Sequence, residues 1–328
     1  MNNYNVAIRA TGSYLPEKIL TNADLEKIVQ TTDEWITTRT GIKERRIADK
    51  DTATSDLAVK AAFNALERAK LSPEDIELII VATATPDMLF PSTACFVQKA
   101  LGAMNAAAFD LTAACSGFIY GMGVAKAFIE SGTYRRILII GAETLTKITD
   151  WQDRNTCVLF GDGAGAMILE RTEGPTQLLS VYMGADGNYA HLLQLPGGGS
   201  RNPVSQETLD QRLHYMKMEG KEVFKVAVPK MCEAAQIALD KAGKKCEDLA
   251  LLIPHQANMR IIEAIAKRIN VPLEKVYINI QKYGNMSAAT IIIALDEALR
   301  SERIKPGDLI EVVAFGGGFT WGASVIQF

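Results

Sequence analysis

The chain reads as one unit written twice, and that self-similarity restricts its possible folds more than any single motif. In the first half an amphipathic stretch from Ser55 to Lys70 runs through SPED into the apolar segment Ile76–Thr83. In the second, Val223 to Gly243 runs through KCED into Leu249–Ile253. Helix-like segments follow in both, PSTACFVQKALG from Pro91 and NMRIIEAIAKRIN from Asn258, with apolar residues three and four apart. Next come a short β-rich run, Ala107–Leu111 or Val276–Ile280, a turn, and a helix that is apolar nearly all round. These helices are CSGFIYGMGVAKAFIESG and MSAATIIIALDEALRSE. Each leads to another apolar strand, Ile137–Ile140 or Leu309–Ala314, then to a Gly-rich hairpin and a closing strand, AGAMILE or GASVIQF.

Strands alternating with helices predict a mostly parallel sheet in each half. A helix without a polar face has to be covered on every side. Two such helices in equivalent places are therefore expected side by side between two sheets. The predicted fold is α/β, a five-layered αβαβα sandwich with pseudo-twofold symmetry, built from halves 1–173 and 174–328. Two separate doubly wound domains would instead leave an apolar helix face exposed in each. The Gly- and Pro-rich stretch from Gly184 to about Ser205 is expected as a loop near the mouth of a site.

Composition narrows the function classes. A net charge of −3 gives no footprint for nucleic acid over the whole surface. The five cysteines (Cys95, Cys115, Cys157, Cys232, Cys246) are scattered and form no CxxC pair, which fits reduced thiols better than a disulfide framework or a metal site. MNNYNVAIRATGSYLPEK lacks the basic and apolar regions of a signal peptide, and the apolar runs are too short to span a bilayer. A soluble, cytoplasmic protein with no membrane segment is expected.

Ligands of parallel α/β sheets gather at the carboxyl ends of strands, and four sequences fall there. FDLTAACSGF puts Cys115 just after a strand, at the start of the first apolar helix. LLIPHQAN puts His255 just after another, with Asn258 placed to cap the next helix. KYGNMSAA puts Asn285 at the start of the second apolar helix, nearly equivalent to Cys115, and FGGGFTWG puts Gly316, Gly317 and Gly318 in a tight bend. Singly, each has a bland explanation: an inert buried thiol, a satisfied core histidine, a cap, a hairpin corner. A helix start, with its unpaired N–H groups and positive dipole end, favours a thiolate at Cys115. Together the four occupy related strand ends facing one cavity. GDGAGA (Gly161 to Ala166) matches a dinucleotide fingerprint only formally, since a strand-like MILE follows it rather than a helix.

ACSGF at Cys115, PHQAN at His255, YGNMSAA at Asn285 and AFGGGFTWG near the C-terminus together resemble the β-ketoacyl-acyl carrier protein synthase III family of thiolase-like condensing enzymes. The likeness runs from ATGSYLPE through TTDEWITTRTGI to WGASVIQF, essentially the whole chain. It implies the duplicated five-layer fold and a decarboxylative condensation that initiates fatty acid biosynthesis, joining a short acyl-CoA, acetyl-CoA foremost, to malonyl-acyl carrier protein. Cys115 would carry the acyl group, His255 and Asn285 would bind the malonyl thioester oxygen, and the amides of Cys115 and Gly317 would form the oxyanion hole. Acyl-CoA is then a substrate, and no cofactor is implied.

The same resemblance implies that Trp35 and Arg39 hold the CoA adenine, with Arg154 and Asn258 along the pantetheine tunnel. It implies a homodimer in which Phe90 closes the partner's acyl pocket, and a carrier-protein patch at Lys225, Arg260, Lys267 and Arg268. Met286 departs from the family's usual threonine, placing bulk near the chemistry and leaving acyl preference open. A secondary-pathway ketosynthase or acyltransferase with another primer stays open. A type III polyketide synthase lacks this PHQAN and GNxSAA wording. A papain-like peptidase shares only the Cys, His, Asn order, and a non-catalytic relative would have little reason to keep all three.

Overall fold

The computed structural model describes residues 4–175 and 177–328. Along the first half run β1 (Asn5–Tyr14), α1 (Thr54–Ala69), β2 (Leu78–Ala82), α2 (Thr93–Leu101), β3 (Ala107–Leu111), α3 (Gly117–Glu130), β4 (Arg136–Thr144) and β5 (Asp162–Thr172). The second half contains β6 (Leu178–Ala185), α4 (Gly220–Ala242), β7 (Leu251–Pro254), α5 (Met259–Arg268), α6 (Ala289–Arg300), β8 (Leu309–Gly316) and β9 (Thr320–Gln327). The first sheet has the order β1-β5-β4-β2-β3 and the second β6-β9-β8-β7, the same order without its last strand.

The five layers form as the apolar pattern requires. One buried cluster joins Phe118, Ile119 and Met122 of α3 to Ile291, Ile292 and Leu295 of α6, with residues of both sheets on either side. On the outer face of the first sheet lie α1 and α2, α1 through Leu57, Ala58, Ala61, Ala65 and Leu66. On the outer face of the second lie α4 and α5. Gly121 of α3 lets the helix press onto the sheet, since a Cβ there would stand 2.9 Å from Ile139. Of the charged residues of α6, Asp296 is fully buried. It accepts from Thr11 at 2.8 Å, Ser13 at 2.6 Å and Arg300 at 3.1 Å, and pairs with Arg68, fastening α6 to β1 and α1.

Three expectations need correction. The sheets are mixed, not mostly parallel: β2 pairs in parallel with β3 and β4, and β7 with β8, but β1, β5, β6 and β9 are antiparallel additions. Val276–Ile280 is not a strand. After one bridge from Val276 to Leu252, the side-chain oxygen of Gln256 takes the amides of Asn279 and Ile280 at 3.0 and 3.2 Å, which a ladder would otherwise have used. The first half has no tight Gly-rich hairpin: residues 145–161 between β4 and β5 include helical turns, and GDGAGA runs into β5 itself.

Where the halves meet, each strand end touches the other half's helix start. A Cβ on Gly141 in β4 would lie 2.5 Å from the Ala288 carbonyl oxygen ahead of α6, and one on Gly316 in β8 would lie 2.6 Å from the Cys115 amide nitrogen ahead of α3. Both turns also carry a non-glycine residue in the left-handed region, Ala114 with φ 44° and Ser287 with φ 45°. By that correspondence Cys115 matches Ala288, and Asn285 stands further ahead of its helix than Cys115 does of its own.

Glu311 of β8 is fully buried against the outer cluster, and neither carboxyl oxygen has a hydrogen-bond partner among the described residues. Burial pushes this carboxyl well above its ordinary value, so folding takes up a proton as pH rises past the unfolded value of 4.5. The native state therefore loses stability with pH above that point. Glu311→Leu is expected to raise stability by about 1–3 kcal/mol near neutral pH. Denaturant titrations should show the gain shrinking as pH falls towards 4.5.

Candidate active site

Cys115 lies in a single 3-10 turn, Ala114–Ser116, that leads into α3. The turn is held by Ser116, whose hydroxyl reaches the Ala113 carbonyl at 2.8 Å, and by Thr320 of the facing hairpin, which reaches the same carbonyl at 2.9 Å. Cys115 opens onto a cavity of about 120 Å³ lined also by Ala84, Leu193, Asn285, Ser287 and Gly317. An adjoining space of about 50 Å³ is lined by Cys115, Asn285, His255 and Phe315. The expected Cys115, His255, Asn285 and Gly317 are thus brought together. Residues 193–195 of the Gly- and Pro-rich segment line the cavity, although the segment is not all loop: it holds a 3-10 helix, Gly187–Leu192, and a short strand, Leu193–Gln194.

The hydrogen bonds fix how each polar group meets the cavity. Asn285 Oδ1 accepts from the Ser287 amide at 2.8 Å, leaving the Nδ2 donors for the cavity. His255 follows β7, its backbone amide tied to Val313 at 2.8 Å, and its Nδ1 lies 2.6 Å from Thr290 Oγ1. Burial holds the imidazole down at about 3, so the ring is neutral at physiological pH and its Nε2 is the nitrogen left over.

One electrostatic expectation is reversed. The helix start was expected to favour a thiolate, but burial pushes the Cys115 thiol up to about 12. Cys157 and Cys232 are also raised by burial, to about 11, so the thiol's acidity does not single out Cys115; its place on the cavity does.

Away from the cavities, Trp35 is flanked by two guanidinium groups, Arg39 at 4.6 Å and Arg154 at 4.7 Å from the ring centre. Neither cavity is lined by these residues or by Asn258. Asn258 caps α5 as predicted, accepting from the Arg260 amide at 2.9 Å. Arg260 donates to the Thr38 carbonyl at 3.1 Å, which ties α5 to the helix bearing Trp35. Lys267 and Arg268 are exposed in the last turn of α5. Lys225 is exposed on α4 but already paired with Glu222 at 2.7 Å, so it is less free than a bare basic patch requires. Phe90 is 84% exposed beside Leu89 at 80%, off both cavities. Met286 corrects an expectation: it is buried with Tyr283, Ala289 and Ile293 and lines neither cavity, so its bulk does not enter the reaction space.

Sequence reasoning passed over Ser287, Thr290 and Glu143. The first two lie within or just beyond the quoted YGNMSAA, but nothing in their spacing told which hydroxyl faces which ring or amide. Glu143 ends an apolar strand, where a carboxylate gives no periodic signal.

The duplicated sandwich, with a cysteine, a histidine and an asparagine converging at its centre, is that of the thiolase-like condensing enzymes. Residues 109–187 match the family model for 3-oxoacyl-[acyl-carrier-protein] synthase III, and residues 239–328 match the model for its C-terminal part. The chain is 61% identical over 321 residues to the β-ketoacyl-[acyl-carrier-protein] synthase III of Caldanaerobacter subterraneus subsp. tengcongensis, covering 98% of this chain and 97% of that one. The crystal structure of 3-oxoacyl-[acyl-carrier-protein] synthase III from Aquifex aeolicus VF5 superposes with a TM-score of 0.91 at 52% identity, covering 98% of this chain and all of that one. A priming β-ketosynthase of a polyketide biosynthetic pathway superposes with the same TM-score at 34% identity, over 99% of this chain and 96% of that one. The chain belongs to the β-ketoacyl-[acyl-carrier-protein] synthase III family.

Gly316 supplies a direct check on the geometry, because any side chain there must displace the Cys115 amide. Gly316→Ala is expected to lower condensing activity about 100-fold, the scale of a displacement near 1 Å. Melting temperature should fall as well, since the added Cβ meets buried backbone and overpacking of this kind costs about 1–3 kcal/mol, so activity is compared on folded protein. A variant as active as wild type would mean that the turn can move aside without consequence.

Proposed function

We propose that this acyltransferase condenses a short acyl-CoA with malonyl-acyl carrier protein through an acyl-Cys115 intermediate. What supports the reading is the convergence of Cys115, Asn285 and His255 on two adjoining cavities within a chain of this family. In the first half-reaction Cys115 Sγ attacks the thioester carbonyl, and CoA leaves carrying the thiol proton. The amides of Cys115 and Gly317 receive the oxyanion, each such donor contributing about 3 kcal/mol.

In the second half-reaction the malonyl group loses carbon dioxide, and the resulting enolate attacks the acyl-cysteine. The enolate oxygen needs neutral donors. Asn285 offers Nδ2, because its oxygen is occupied by the Ser287 amide. His255 offers Nε2–H in the tautomer in which Thr290 turns its single hydroxyl proton from the Ser287 carbonyl, 2.9 Å away, to Nδ1 at 2.6 Å. With a free volume of about 120 Å³ beside Cys115, acetyl and other short acyl groups fit best.

The remaining roles follow the same reading. Trp35 with Arg39 and Arg154 receives the adenine end of CoA, and Asn258 lies along the pantetheine path. Lys267 and Arg268, with Arg260 and Lys225, attract the acidic carrier protein. The protein is a homodimer, with the exposed Leu89 and Phe90 reaching the partner's acyl pocket. The halves divide between residues 173 and 174, and the location is cytoplasmic, in keeping with five free cysteines. No helix among the described residues is long and apolar enough to cross a membrane. A second reading, a priming ketosynthase of a secondary pathway, is favoured by the structural likeness to one. A panel of acyl-CoA primers with malonyl-acyl carrier protein separates the two: preference for acetyl-CoA supports the first.

Intact-mass measurement after exposure to acetyl-CoA should show one added acetyl group on wild type and none on Cys115→Ala; equal labelling of both would sink the mechanism. His255→Ala and Asn285→Ala are expected to keep self-acylation while malonyl decarboxylation falls about 100-fold or more. The reverse pattern, decarboxylation surviving and acylation collapsing, would refute the division of roles.

A further inference from the structure

An acyl-CoA held at its nucleotide end and attacked at its thioester is well placed only if the two ends of its site keep a fixed separation. The residues around Trp35 come from two elements, the helix Asp33–Thr40 with Trp35 and Arg39, and the turn Arg154–Cys157. Both pack into one apolar cluster that includes Ile36, Cys157 and Phe160. Apolar burial is non-directional, so packing alone leaves their mutual placement loose. A single buried guanidinium, that of Arg45, bonds to both.

Arg45 is fully buried, and its hydrogen bonds all run to neutral oxygens. Its Nη2 donates at 2.7 Å to the carbonyl of Val158, the residue that ends the Arg154 turn. Its Nη1 donates to Asn22 Oδ1 at 2.9 Å and to the Leu20 carbonyl at 3.1 Å. Asn22, buried as well, passes the link on. Its Nδ2 donates at 2.8 Å both to Asp33 Oδ1 and to the Ile42 carbonyl, at either end of the helix that bears Trp35.

On its other side the segment held by Arg45 runs to the candidate site. The Leu159 carbonyl accepts from the Asn285 amide at 2.8 Å, and the Asn285 carbonyl accepts from the Gly161 amide at 3.0 Å. The Arg45 stem is pressed against the same backbone: its Cβ would stand 3.1 Å from a Cβ on Gly161 and 3.4 Å from one on Gly284. Burial lowers the guanidinium to about 10, so it stays charged at neutral pH, and its Nε has no partner among the described residues. A buried cation facing only neutral oxygens is a costly way to fill space that an apolar side chain could occupy. Its planar fork supplies what such a side chain lacks, donors at fixed angles to two segments at once.

We infer that Arg45 is a positioning residue that holds Trp35, Arg39 and Arg154 at a set distance from the reaction space, through Asn22 on one side and Val158 on the other. It lines neither cavity and acts through the elements it joins. An acyl group carried by CoA gains from that spacing, because both ends of the carrier are held. One carried by pantetheine alone does not. The role rests on Trp35 receiving the adenine end of CoA.

Its test is the rate constant for Cys115 acetylation from limiting acetyl-CoA and from limiting acetyl-pantetheine, each read by intact mass. Wild type should favour acetyl-CoA. Arg45→Met keeps a stem and removes the fork, and the ratio of the two rate constants should fall about 10-fold or more. Loss of folded protein lowers both rates alike and leaves the ratio where it was, so a merely structural role would not move it. Asp33 is exposed at the far end of the link, and Asp33→Ala decides the matter should Arg45→Met not fold. The ratio should fall there too, and Asp33→Asn, which keeps an accepting oxygen, should restore it. A ratio unchanged from wild type in Arg45→Met, or in Asp33→Ala where Arg45→Met does not fold, overturns the positioning role. A wild type that reacts equally well with both thioesters overturns the adenine reading of Trp35, and the role of Arg45 with it.

Discussion

Covering two nearly apolar helices is the constraint from which the rest of the structure follows, because α3 and α6 carry charged residues only in their C-terminal halves. Both must lie between sheets, and their amino-terminal turns then fall in the middle of the molecule, where unpaired N–H groups have no solvent to meet. A cavity at that point is the outlet. The close approaches at Gly141 and Gly316 seat each helix start against the other half's strand end, so the two halves build the site jointly. Neither half carries the set alone: Cys115 comes from the first, while His255, Asn285 and Gly317 come from the second.

The same burial decides the electrostatics. Desolvation keeps Cys115 a thiol and His255 a neutral ring, and it holds Glu143 at the edge of ionisation. The reaction space therefore contains almost no permanent charge. In the proposed reaction, charge that develops on an oxygen would meet amides, an asparagine and an imidazole already in place, in surroundings that screen it poorly. The cations stacked on Trp35 or exposed on α5 lie outside that space, where an anionic ligand or partner can meet them without a burial cost.

Much of this was legible in the sequence because duplication converts weak local signals into paired ones. Two apolar helices in equivalent positions imply a shared middle layer, and Cys115, His255 and Asn285 at strand ends imply a common cavity. Strand direction was less legible, since fully buried runs such as AGAMILE look alike whether they lie parallel or antiparallel. Val276–Ile280 has the composition of a strand, yet Gln256 captures the amides a ladder would use, a side-chain decision with no periodic trace. Met286 sits one residue from Asn285 in the chain, but its side chain leaves on the other side of the turn, towards Gly163 and Tyr283. Sequence adjacency to the chemistry did not mean proximity to it.

What remained hidden concerns single hydrogens. Asn285 presents its donors because the Ser287 amide occupies its oxygen, and the proton on the His255 ring follows from where Thr290 sends its own, to Nδ1 at 2.6 Å or to the Ser287 carbonyl at 2.9 Å. Those partners sit on the turn before α6 and in its first turn, in the half that lacks the nucleophile. At the position of Cys115 the second half carries Ala288. Its turn has become an orienting frame, with Ser287 in the left-handed conformation that Ala114 adopts beside Cys115. A duplicated unit thus yields an asymmetric site: one copy of the turn carries Cys115, and the other carries the Ser287 amide and the Thr290 hydroxyl that meet Asn285 and His255.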